Sequence, residues 1–177
     1  TDVRIVAFLI KNTGTIPVDR SAGAGSYAEA VRRLRAGDLV GVYPEATISR
    51  SFELKEFKSG AARMALEAQV PIIPLIVWGA HRVWTKDHPK QLGRNKIPFT
   101  VRVGTPLPPD GTAAELDGSM RAAMTTMLHE VQEWYHHPGG AYWVPHRLGG
   151  SAPTPAEAAR IEEAELAERA RRAAGRH

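Results

Sequence analysis

Between residues 42 and 60 the chain gathers the side chains that can handle an anion. An apolar run, Leu39 to Tyr43, stops at Pro44. A polar loop follows, with Glu45, Thr47, Ser49, Arg50 and Lys58, and then small residues open a helix at Ser59, Gly60, Ala61 and Ala62. A strand end, a charged loop and a helix N-terminus together make an anion-binding corner, because the first-turn N–H groups and the helix dipole both favour negative charge. Within that loop Glu45 either orients a hydroxyl or braces the loop through backbone N–H groups; the sequence leaves both open.

A second cluster is Gly14-Thr15-Ile16-Pro17-Val18-Asp19-Arg20, a short extended piece that delivers Arg20 into a glycine-rich loop. A guanidinium there can hold a phosphate by two parallel hydrogen bonds. The segment alone favours the plainer reading, a surface Asp19–Arg20 pair worth at most about 1 kcal/mol. No group of His, Asp and Glu has metal-ligand spacing, so no metal is expected. Gly23 and Gly25 lack the rest of a dinucleotide fingerprint.

These residues need elements to position them. Val3 to Ile10 and Thr15 to Val18 read as short strands. Ser26, with Glu29 three residues on, has capping-box spacing and predicts a helix start closed by Gly37. Leu39 to Tyr43 is the next expected strand. Lys58 to Gln69 reads as a helix with Ala61, Met64, Ala65 and Ala68 on one face, and Val70 to Trp78 as a buried strand that Pro71 and Pro74 push to an edge or an irregular start. Phe99 to Val103 alternates as a strand. Thr112 to His136 is a long helix with Leu116, Met120, Met124, Met127, Leu128 and Val131 on its apolar face. Strands alternating with helices predict an α/β domain, a central mixed β-sheet flanked by helices, with a helical C-terminal extension. The expected division is 1–137 for this domain, 138–155 for a linker rich in proline and glycine, and 156–177 for a polar, solvated helical tail.

The chain has 177 residues, 43% of them hydrophobic, a net charge of +4 and no cysteine. That suits a packed domain and excludes disulfides and thiolate metal sites. The positive charge favours phosphate-bearing partners. Aromatic residues are only 7% and no basic stretch alternates with them, which argues against nucleic acid. The basic stretch Lys86, His88, Lys90, Arg94 and Lys96, near Trp78 and Trp84, reads either as a rest for anionic lipid headgroups or as a solvated loop.

Taken together, Gly14 to Arg20, Val42 to Thr47, Lys58 to Gly60 and Val70 to Pro74 resemble three successive motif blocks of the glycerolipid acyltransferases, the lysophosphatidic acid (1-acylglycerol-3-phosphate) acyltransferases and their relatives. Order and spacing match over about residues 14 to 107. The resemblance implies their α/β fold and acyl transfer from acyl-CoA or acyl-carrier protein, as co-substrate and with no further cofactor, to the free hydroxyl of a lysophospholipid. It implies that Arg20 grips the acceptor phosphate and that Lys58 and Gly60 complete the phosphate corner. It assigns Pro44, Glu45, Ala46 and Thr47 to the substrate-site loop. It further implies peripheral work at the cytoplasmic face of the cell membrane, against an anionic surface.

Three departures stand out. Ala46 replaces the family's usual glycine, a strain of about 1 kcal/mol if that position needs positive φ. Ile48 replaces a frequent arginine, for which Arg50 is the available substitute. The family's general base is a histidine oriented by an aspartate in a His-x4-Asp block. No histidine here has that partner: His81 precedes Asp87 by one position too many, and His129, His136 and His137 lie on the late helix, where solvent exposure is expected. The block belongs before Arg20 in the family. The expectation is therefore an acyltransferase fragment with no catalytic residue of its own, its His-x4-Asp block lying upstream of Thr1. The other reading is a non-catalytic anion- or lipid-binding domain that has lost its base.

Overall fold

Apolar spacing along the late helix decides where the core forms. In the computed structural model, which describes residues 23–174, the first helix, α1, spans Gly23–Arg35, the second, α2, Gly60–Ala68, and the long one, α3, Ala113–Trp134. Leu116, Met120, Met124, Met127, Leu128 and Val131 recur every three or four residues, so one face of α3 is buried along its length. Its start is fixed by a capping box: the Thr112 hydroxyl accepts from the Glu115 N–H, and the Glu115 carboxylate accepts from the Thr112 N–H.

The sheet packed on α3 has two antiparallel strands among the described residues. Strand β1, Leu75–Trp78, pairs with β2, Thr100–Val103, with Leu75 opposite Val103 and Trp78 opposite Thr100. Ile76 and Trp78 point into the core, while Leu75 and Val77 face out. The buried strand expected over Val70–Trp78 is thus shorter and alternates in and out. Pro71 and Pro74 have no N–H to donate, so the ladder begins after Pro74. Upstream of it Ile72, between the prolines, exchanges two backbone bonds with Leu107 at 2.8–2.9 Å.

Helix α1 differs at its start from the expectation. It begins at Gly23, so Ser26 lies inside it, and Glu29 pairs with Arg32 and Arg33 one turn on instead of capping. Its end is as read: Gly37 adopts φ 87°, and its N–H bonds the Leu34 carbonyl. Ala30 and Val31 bury against Met64 of α2. The segment Leu39–Tyr43 forms no strand; Leu39 and Tyr43 are over nine-tenths exposed. Apolar residues make a ladder only beside a partner strand, and none among the described residues runs alongside. The expected strands Val3–Ile10 and Thr15–Val18 lie outside the described residues.

The glycine- and proline-rich stretch after α3 packs into the main core instead of spanning free space. Trp143, Val144 and Ala152 are buried with Trp78, Met124 and Val131. Burying Trp143 and Val144 contributes roughly 1.5–3 kcal/mol each. The final helix, α4, spans Pro155–Ala174 and buries only Ala158.

Candidate functional site

The loop from Pro44 to Gly60 is closed on itself by backbone chemistry. The Lys58 N–H donates to the Pro44 carbonyl at 2.8 Å. The Glu45 carboxylate accepts from the Lys55 N–H at 3.0 Å. Of the two roles open to Glu45, the geometry contains the brace. Burial raises its pKa, against the opposing pull of the Lys55 N–H and of the Lys55 and Arg121 charges. From α3, Arg121 donates to the Lys55 and Leu54 carbonyls and lies 5.4 Å over the Phe57 ring, which ties the far side of the loop to the core.

Ala46 turns the chain at the head of this loop. Its φ is 59°, and its N–H bonds the Tyr43 carbonyl at 3.1 Å. The position does require the left-handed region, and alanine stands there at a cost of about 1 kcal/mol. Thr47 is exposed, as is the Lys58 side chain. At the start of α2 the Ser59 side chain makes no capping bond, and a methyl group built on Gly60 would meet nothing within 4 Å. The first turn of α2 therefore has no side-chain cap beside Lys58, and there is room next to Gly60. Arg20 lies outside the described residues.

Arg50 is placed differently from the expectation. Instead of lying open as a phosphate contact, its side chain is only 6% exposed and is surrounded by carboxylates. Its Nε donates to Asp87 at 2.6 Å, and Nη2 bonds Glu165 of α4. Its Nη1 stands 4.0 Å from Glu162 Oε1. Asp87, bonded to Arg50, has its pKa lowered, and Arg50 is raised in turn. Glu162 also pairs with Lys55 and, at 3.7 Å, with Lys86. Burial alone would raise its pKa, but these cations leave it lowered. Sequence reading missed Lys55, Arg121, Glu162 and Glu165. They lie far from the loop in sequence or looked like solvated charge, and only the three-residue spacing of Glu162 and Glu165 on one helix face hinted at them.

The histidines divide by environment. His81 is enclosed by Phe52, Trp78 and Trp143, with ring centroids 4.7, 4.4 and 5.9 Å away, and its Nε2 lies 3.1 Å from the Trp143 carbonyl. Burial pushes its pKa down to about 4, so it is neutral at pH 7 and held by a carbonyl, and no carboxylate among the described residues bonds it. His137 is not the exposed residue expected: it accepts from the Trp78 indole at 3.2 Å and is partly buried. His129 and His136 are exposed. Among the described residues no group of three or more His, Cys, Asp and Glu could hold a metal, and no helix is long and apolar enough to cross a membrane.

Comparison with known proteins bears on the whole arrangement. The family model described as Acyltransferase matches residues 1–78. A 1-acyl-sn-glycerol-3-phosphate acyltransferase of Limnanthes douglasii is 33% identical over 121 residues, covering 66% of this chain and 40% of that protein. The alpha form of the same enzyme from Mus musculus is 30% identical over 142 residues, covering 72% and 50%. The chain thus spans half or less of the length of these relatives. The crystal structure of the 1-acyl-sn-glycerophosphate (LPA) acyltransferase PlsC from Thermotoga maritima aligns with a TM-score of 0.61 at 20% identity, covering 75% of this chain and 53% of that one. That likeness bears out the α/β fold with its helical C-terminus.

Proposed function

From its kinship with the acyltransferase family, we propose that the protein to which this chain belongs transfers an acyl group to the free hydroxyl of a lysophospholipid such as 1-acylglycerol-3-phosphate. The donor is acyl-CoA or acyl-carrier protein, and no other cofactor takes part. Arg20, Lys58 and the N-terminus of α2 at Gly60 hold the acceptor phosphate. Pro44, Glu45, Ala46 and Thr47 shape the wall beside it, Glu45 by bracing and not by proton transfer. The observation that carries this reading is the closed Pro44–Gly60 loop, which presents an uncapped helix start within the segment that matches the family.

The base that removes the hydroxyl proton comes from a His-x4-Asp block, which this sequence does not contain. The deprotonated oxygen attacks the thioester carbonyl, the C–O bond forms as the C–S bond breaks, and the thiolate leaves with the donor. The enzyme works peripherally on the cytoplasmic face of an anionic membrane. The basic loop supports this: Trp84 is 60% exposed with the Lys90 ammonium 4.0 Å from its ring centroid, and Leu92 beside it is 75% exposed.

The 177-residue chain is expected to bind glycerol 3-phosphate saturably and to show no turnover with acyl-CoA and lysophosphatidic acid. Acyl transfer abolished by substituting a histidine inside the chain would overturn the assignment of the base. Failure to bind glycerol 3-phosphate would overturn the site. The second reading, a binding domain without chemistry, is favoured by His81, whose aromatic enclosure leaves it no acid–base role. It predicts that supplying a His-x4-Asp segment from a relative restores no activity.

A further inference from the structure

Helix α4 is held to the loop by charge more than by burial. Of its residues only Ala158 is buried, and Ile161 and Leu166 remain 40% and 65% exposed. Its start is firm: the Thr154 N–H and hydroxyl both bond the Glu157 carboxylate at 2.8 Å, and Ala152 just before it is buried in the core. One turn further on, Glu162 and Glu165 reach Arg50, Lys55 and Lys86. The fit is incomplete. Arg50 Nη1 and Glu162 Oε1 are both buried, stand 4.0 Å apart, and neither makes a hydrogen bond.

We propose that α4 is an autoinhibitory anionic strap, in which Glu162 and Glu165 occupy Arg50, Lys55 and Lys86 until a phosphate monoester takes their place. The inference rests on the acceptor-phosphate reading of the adjacent loop. A phosphate monoester carries nearly the charge of the two carboxylates and gathers three acceptor oxygens on one centre, so that one of them can reach Arg50 Nη1, which makes no hydrogen bond. Exchange loses almost no apolar burial, because α4 contributes almost none. The fixed Thr154–Glu157 start lets the helix body swing away while the chain stays anchored. Asp87, which also faces Arg50, remains in place and keeps the guanidinium oriented.

Two measurements on the full chain test this. Titration with glycerol 3-phosphate compares the wild type with the Glu162→Gln/Glu165→Gln variant, which is expected to bind at least about fivefold tighter. Amide exchange over residues 156–174 of the wild type is expected to speed up when glycerol 3-phosphate saturates. Equal affinity of the two proteins, or exchange that the ligand leaves unchanged, overturns the strap. Repeating the exchange with phosphatidylcholine vesicles carrying lysophosphatidic acid identifies the source: release by vesicles and by the free ester supports phosphate as the trigger, and release by undoped vesicles overturns it. Arg20→Gln separates the two claims. If that variant binds glycerol 3-phosphate as well as the wild type, the acceptor reading falls, whereas the strap is judged on exchange alone.

Discussion

Arg50 and Asp87, 37 residues apart in sequence, are joined by a 2.6 Å hydrogen bond between two loops, with Asp87 in the left-handed region at φ 63°. The two partners are unequal. The Arg50 side chain is 6% exposed and serves three carboxylates, while the Asp87 side chain is 61% exposed. Removing the buried partner strands the others, so Arg50→Ala is expected to lower stability by about 2–3 kcal/mol, after discounting the exposure of the carboxylates. Asp87→Asn should cost under about 1 kcal/mol, since Glu165 still holds the guanidinium. Urea unfolding of both variants checks the ordering; equal losses would contradict it.

Ala46 offers a gain. At φ 59° an L-residue is strained, and glycine is not. Glycine's larger unfolded-state entropy offsets part of the relief. Ala46→Gly is expected to raise stability by about 0.5 kcal/mol, read as a higher urea midpoint at unchanged slope. A lower midpoint would show that the turn does not govern this position.

How far the sequence revealed the molecule depended on the range of the forces involved. Local rules worked where one element decides alone: the Thr112–Glu115 capping box and the α3 stripe through Met120, Met124 and Met127 were legible, as was the glycine stop at Gly37. At residue 46 the resemblance raised a positive φ only as a condition, through the glycine usual there, and the backbone meets it at 59°. Tertiary pairing was not. Leu39–Tyr43 has strand composition, but no partner strand lies beside it among the described residues. Trp143 and Val144 were hidden in a stretch whose glycines and prolines suggested a linker. Arg50 looked available because nothing in its neighbourhood of sequence announces Glu165.

Stability should fall with acidity through His81. Its folded pKa of about 4 lies below the usual 6.5 because burial disfavours the cation. Between those values the unfolded chain binds the proton and the folded one does not, so stability rises with pH across that window. The full loss, reached below about pH 4, is roughly 3 kcal/mol. His137, lowered chiefly by burial and then by the Arg147 and His136 charges, acts with the same sign. Glu45, raised by burial, acts with the opposite sign. His81→Phe keeps the ring in its aromatic surroundings and removes the proton. Urea midpoints at pH 7 and pH 5 should differ less in that variant than in the wild type; an equal difference would place the acid sensitivity elsewhere.

The glycine-rich stretch after α3 supplies the last test, because a linker and a packed segment respond oppositely to a single methyl group. A Cβ on Gly150 would lie 1.9 Å from the Val144 carbonyl oxygen and 2.4 Å from the Val144 Cβ. That carbonyl also accepts the Ala152 N–H at 3.3 Å, and Val144 is fully buried. Neither side can yield without moving backbone, so Gly150→Ala is expected to cost about 2 kcal/mol or more. Gly139→Ala, in the same stretch, meets nothing within 4 Å and should be near neutral. Thermal unfolding of the pair decides the matter. If both are tolerated alike, the segment is a tether and α4 has no fixed base from which to reach Arg50.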